Sequence, residues 1–427
     1  MNLWLTISKK SNDMKSIQTL ILSLIVLSLT SCGSSQENPA ESLQWRGPNR
    51  DGIFNEKNLL DEWPEQGPEL LWKYEQLGAG HSSVAFGGEK VFTLGTNLKD
   101  SVTSLFAFSN SGELLWKKEL GKEWMTTWPA ERSTPLILDG KGYVFDGLGV
   151  MHCFSIEDGT LIWQRRLIDE LAGRNSQHGV HENLIIDGNR LFCTIGGEES
   201  NIIALDKETG ETIWVSKGTR EMNAYCSPII IEHFGKKYYI TMTFNALVSV
   251  DVENGEVAWK QELAEPKYGI HASVPMYHEG LLFIIEGYRD GSRMFKIADD
   301  GLSAEMIWRH DSIGPQMGDA VRIGNDLYVS SSPKRKWFCI DWYTGDIKFS
   351  SDKLSEGTII AADNKLFIET YKGVLAMVKV ENNDFTILGT FLAPGKKGDH
   401  YSQPVIKDGR LYIRYMDTIC VYDIRKK

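Results

Sequence analysis

The chain has 427 residues, with 46 basic and 57 acidic side chains and a formal charge of −11 at neutral pH. Hydrophobic residues at 42% and charged residues at 24% are ordinary for a globular protein, which excludes wholesale disorder. The acidic balance repels phosphate backbones and argues against a nucleic-acid partner.

The N-terminus reads as an address. Ile17 to Leu29 is an apolar run of thirteen residues, broken by Gln18, Thr19, Ser23 and Ser28. A membrane-spanning helix needs about 20 apolar residues, so the run fits a secretory signal, with Lys15 as its positive flank. It closes on Leu29-Thr30-Ser31-Cys32, a bacterial lipoprotein box in which Cys32 takes the lipid. Residues 1–31 are the expected signal peptide, with Met14 an alternative start to Met1. That segment holds three lysines and one aspartate, so its removal takes the charge from −11 to −13. No later stretch approaches spanning length, so the body is expected to be soluble and tethered. Residues 32–66 form the expected tether and lead-in; Gly33 to Ser42 is rich in Ser, Gln, Glu, Asn and Pro. In some bacteria an aspartate after the lipidated cysteine is associated with inner-membrane retention, and Gly33 there favours the outer membrane.

A repeat organises residues 67–427. Its unit is an apolar strand, a Gly or Asn turn, two further strands, and a closing strand marked by Gly-Glu-x-x-Trp. Gly112, Gly159, Gly210 and Gly255 each precede a tryptophan by four residues, and Gly345 precedes Phe349 by the same spacing. Turns such as Asp139-Gly140, Asp187-Gly188 and Asp408-Gly409 favour tight hairpins. Four short strands in about 45 residues describe a β-propeller blade. Eight units fit the span, so the expected fold is an all-β, eight-bladed propeller; seven blades is the alternative, because units six and seven are degenerate. The last unit lacks a tryptophan strand, and Leu70-Leu71-Trp72-Lys73-Tyr74 is expected to supply it and close the ring. The repeated tryptophans are expected to pack blade against blade. Cys153, Cys339 and Cys420 fall where other units carry Ala204 or Ser249, so they are expected to be small buried side chains.

In a propeller the residues at the start of each innermost strand converge on one funnel mouth. That column holds His81, Arg132, His181 with Glu182, Tyr225, His271, Asp319, Glu356 and His400 with Tyr401, and the adjoining loops add Trp124 and Trp128. A polar, aromatic-lined mouth is where such a ring binds a partner or ligand. No histidine pair has the spacing of a metal site, and no metal is expected. No hydrolase elbow, Walker loop or His-Glu-x-x-His helix is present, and no catalytic residue is assigned.

Asp206-x-x-Thr-Gly-Glu-x-x-Trp214 resembles the repeat of pyrroloquinoline-quinone-type propellers, and Trp45-Arg46-Gly47-Pro48-Asn49-Arg50-Asp51-Gly52 resembles a lead-in of the same group. With the lipoprotein box, the chain is similar to the BamB family of outer-membrane assembly factors. That resemblance implies a monomeric, membrane-tethered scaffold that binds envelope proteins or peptides, faces the periplasm and has no cofactor. The same repeat builds quinoprotein dehydrogenases, which implies the alternative of a periplasmic oxidoreductase. There, Glu182, Asn183 and Asp319 would hold calcium beside pyrroloquinoline quinone, although the adjacent cysteine pair of those enzymes is missing here.

Overall fold

The computed structural model describes residues 45–218, 221–263, 268–288, 290–393 and 400–427. The signal segment, Cys32 and the first part of the tether lie outside these residues. Among the described residues no helix is long and apolar enough to cross a membrane.

Eight four-stranded antiparallel sheets follow one another along the chain, the eight blades read from the sequence. Their innermost strands are Ala85–Gly87, Leu136–Leu138, Ile185–Asp187, Ile229–His233, Met276–His278, Val321–Ile323, Gly357–Ala362 and Val405–Lys407. Blade 8 is completed by Glu69–Tyr74, which pairs antiparallel with Thr418–Asp423. The ring therefore closes by joining the two ends of the chain, and no blade is left with a missing strand. The described helix content is one turn, Leu167–Glu170.

Each blade has two faces to bury. The second and third strands are accordingly mostly buried, as in Leu281–Glu286, whose six residues are all buried. Apolar clusters lie between neighbours: Leu136, Phe145 and Cys153 of blade 2 pack with Leu184, Leu191 and Ile203 of blade 3. The outermost strands show the mixed exposure of an edge, as in Leu161–Arg166.

The repeated tryptophans join blade to blade, as the repeat predicts. The indole N–H of Trp116 donates to the Glu157 carbonyl of the next blade at 2.9 Å. Trp163, Trp214 and Trp308 donate likewise to Lys207, Val252 and Trp342, and Trp72 donates to Asn110 across the closure. Beneath each ring lies the glycine of the neighbouring turn. A Cβ on Gly210 would fall 2.7 Å from the Trp163 ring, and one on Gly255 would fall 2.5 Å from that of Trp214. Both glycines also hold φ near +75°, a region costly for other residues. The Gly-Glu-x-x-Trp spacing is thus two halves of one contact, made between successive repeats.

Cys153 and Cys339 stand opposite Trp163 and Phe349, as Ala204 and Ser249 stand opposite Trp214 and Trp259. Cys420 departs from the expectation by one residue: it faces Lys73, and Val421 opposes Trp72. Cys153, Cys193, Cys226, Cys339 and Cys420 are buried free thiols. Burial pushes Cys153, Cys226, Cys339 and Cys420 up to about 12, so they stay protonated.

Trp214 is 9% exposed and spans the boundary between blades 3 and 4. Trp214→Ala is expected to cost about 3–5 kcal/mol of unfolding free energy, read from denaturant midpoints. A cost below about 1 kcal/mol would show that the indole does not hold the blades together.

Candidate functional site

All connections from an outermost strand to the next innermost strand reach the same end of the ring. A cavity of about 450 Å³ opens among them. In seven of the eight blades the residue four positions before the innermost strand lines it: His81, Arg132, His181, Tyr225, Ala272, Met317 and Tyr401. Glu182, Asn183, Asp319 and Trp128 line it too, so the structure brings most of the sequence-derived column together.

His271, Glu356 and His400 of that column, and Trp124 of the adjoining loops, do not line the cavity. His271 and His400 sit five positions before their strands, and the side chain one step along an extended chain points the other way. His271 is fully buried and its Nε2 lies 3.3 Å from the Phe244 carbonyl. His400 pairs through Nδ1 with Glu369 Oε1 at 2.7 Å and stacks on Tyr415 at 3.9 Å. Trp124 stands behind the wall, its indole N–H donating to Thr127 Oγ1 at 3.3 Å. Burial pushes His81 and His181 down to about 3 and His271 to about 4, so all three are neutral near pH 7.

The floor of the cavity comes from the lead-in. Trp45 lines it, and Arg46 and Arg50 follow inside the ring. Arg46 is completely buried; its Nη1 lies 3.2 Å from Asp319 Oδ2 and its Nη2 donates to the Ala320 carbonyl at 2.8 Å. Arg50 reaches the other side, donating to the carbonyls of Leu184 and Asn183 at 2.6 and 2.7 Å. The chain then bridges through Ile53 to Ala361 of blade 7 and through Leu59 to Arg425. Phe54, Leu59 and Trp63 are buried in the cluster shared by blades 7, 8 and 1. The two guanidiniums thus span the neck of the ring from blade 6 to blade 3.

Several bulky residues at the plug and the cavity wall hold left-handed φ values: Arg46 (67°), Arg50 (58°), Trp128 (46°), Tyr225 (66°) and Tyr288 (57°). Bulky side chains rarely adopt this conformation, which costs of order 1–3 kcal/mol per residue and persists where surrounding contacts enforce it. Tyr225 shows the enforcement: its hydroxyl accepts from Ser176 Oγ at 2.7 Å and from the His178 amide at 2.9 Å. Arg132 donates through Nη2 to the His178 carbonyl at 2.5 Å, while its Nε has no partner. Trp128 is 65% exposed at the rim.

The quinone–calcium donor set does not fit. Asp319 is taken by Arg46, by the Val274 amide at 2.6 Å and by Gln403 Nε2 at 2.9 Å. Asn183 Oδ1 accepts from the Thr134 amide at 2.7 Å. Glu182 accepts from Tyr239 and Thr194, and burial pushes it up to about 8, so it keeps its proton near pH 7. Two arginines stand between the carboxyls of blades 3 and 6, where calcium would need an open, anionic cage.

The family model described as outer membrane protein assembly factor BamB matches residues 63–172 and 98–351, most of the ring. The chain belongs to this family of pyrroloquinoline-quinone-type propellers. Among curated proteins, the outer membrane protein assembly factor BamB of Francisella salina is 24% identical over 157 residues. That stretch is 36% of this chain and 28% of that relative's length. BamB from Moraxella catarrhalis superposes with a TM-score of 0.61 at 11% identity, covering 83% of this chain and 99% of that one. The quinohemoprotein alcohol dehydrogenase ADHIIG from Pseudomonas putida HK5 gives 0.64 at 12% identity, over 91% and 81%. A europium-containing methanol dehydrogenase gives 0.63 at 9%, over 88% and 89%. At these identities the solved structures establish the shared fold.

Removing Arg46 would leave Asp319 buried, 1% exposed and without its cation. Arg46→Ala is expected to destabilise the protein by about 3–5 kcal/mol. Adding Asp319→Asn should recover part of that loss; no recovery would show that the ion pair is not what holds the plug.

Proposed function

We propose that the protein is a lipid-tethered propeller scaffold of the bacterial cell envelope, anchored through Cys32 and docking a protein or peptide partner in outer-membrane protein assembly. Its membership in the BamB family supports this role, and the lipoprotein box supports the anchor. The observation that carries the docking site is the strained aromatic mouth: Trp128, Tyr225 and Tyr288 are held ready in left-handed conformations around a cavity closed below by Arg46 and Arg50. A closed cup admits the end or a projecting side chain of a partner; it does not thread one. Aromatic side chains and arginine dominate binding energy at protein interfaces, and Trp128, Tyr225, Tyr288 and Arg132 all line this mouth. The oxidoreductase alternative would need the donor set of Glu182, Asn183 and Asp319, which internal bonds already engage.

The test is binding of purified barrel-assembly subunits to the soluble body. Trp128→Ala and Arg132→Ala are each expected to weaken binding about tenfold or more with the melting temperature of Trp128→Ala unchanged. Full binding by both variants, or no binding by the unaltered protein, would overturn the proposal.

A further inference from the structure

Behind the cavity wall lies a buried group that docking does not use. Glu123 and Glu131 come from the loop joining blades 1 and 2, and His181 from the loop before blade 3. One ligand atom from each lies within 4.8 Å of the others, and the three residues are 4%, 0% and 4% exposed. Two ligands of one first-row ion, each about 2.1 Å from it, lie at most about 4.2 Å apart, so a small inward shift brings all three onto one centre.

The hydrogen bonds orient the group and leave donor atoms for an ion. Glu131 Oε1 accepts from the amides of Arg132 and Ser133 and from Ser133 Oγ, and stands 3.2 Å from His181 Nδ1. With the proton on Nδ1, His181 presents the lone pair of Nε2. That atom is buried without a partner, and so is Glu131 Oε2. Glu123 is fixed by the amides of Trp124 and Gly147 at 2.8 and 3.0 Å and by Thr103 Oγ1 at 2.8 Å. Gly147 leaves the approach open: a Cβ there would fall 2.3 Å from Glu123 Oε1 and 2.7 Å from His181 Nε2.

We propose that Glu123, Glu131 and His181 form a binding site for one divalent first-row transition ion, zinc or manganese. Two carboxylates and one imidazole suit these ions, and three protein ligands are too few for calcium, which takes six to eight oxygens. Two buried carboxylates side by side need protons or a cation to neutralise them. An ion would displace those protons and neutralise both charges. His181 also lines the funnel cavity, which places the ion one side chain behind the proposed docking surface.

The experiment is calorimetric titration of chelator-treated protein with Zn²⁺, Mn²⁺ and Ca²⁺, with melting curves at each endpoint. Zn²⁺ or Mn²⁺ should bind once per chain and raise the melting temperature by several degrees, and Ca²⁺ should not. Glu131→Gln and His181→Gln should each weaken that binding at least tenfold, as should Gly147→Ala, which fills the approach without removing a ligand. Unaltered protein that melts cooperatively yet binds neither transition ion would overturn the site, leaving a proton shared between the two glutamates. Binding of unchanged strength in all three variants would overturn it too, by placing the ion elsewhere.

Discussion

The contact on which the rest depends is the indole of one blade resting on the glycine of the next. It is made at five of the eight interfaces: Trp72 over Gly112, Trp116 over Gly159, Trp163 over Gly210, Trp214 over Gly255 and Trp308 over Gly345. A propeller has no single core; its stability is a sum over interfaces between neighbours, each needing a register as well as apolar area. The tryptophan supplies both. Its ring covers the glycine and its N–H satisfies a carbonyl that the turn would otherwise leave bare. Closure by Glu69–Tyr74 gives the interface between blades 8 and 1 the same contact, and the loops at the mouth inherit a fixed frame.

Within that frame, charge is arranged against the chain's own balance. The protein as a whole is acidic, yet the neck holds Arg46 and Arg50, and Arg132 faces the cavity. Asp319 offsets one of these charges, while burial leaves Glu182 protonated and the lining histidines neutral. The cup is therefore locally positive and aromatic, a surface suited to acidic or carboxylate-bearing partners with apolar side chains. The same lead-in that blocks the neck supplies Trp45 to the floor, so one segment both seals the ring and shapes the site.

Blade number, ring closure and tryptophan packing were legible because each rests on a repeated local pattern with a fixed period. The cavity wall was legible in part. His81, Arg132, His181 and Tyr225 share one offset from their strands, whereas His271 and His400 lie one residue out, and a strand's alternation turns such a slip into opposite directions. The roles of Arg46 and Arg50 were hidden, because their partners Asp319 and Leu184 lie far along the chain, and no local pattern encodes that pairing. Glu123 and Glu131 were hidden for a related reason: only the fold brings them to His181.

The central claim is that partners meet the protein at the funnel mouth and not at the opposite end. Hairpins joining the first and second strands, including the one that exposes Phe234, lie at that opposite end. The most direct measurement is photo-crosslinking in cells from a reactive residue placed at position 128 or at position 234, with the adducts identified by mass spectrometry. The account predicts an adduct with a barrel-assembly subunit from position 128 and none from position 234. An adduct from position 234 with none from position 128 would contradict it.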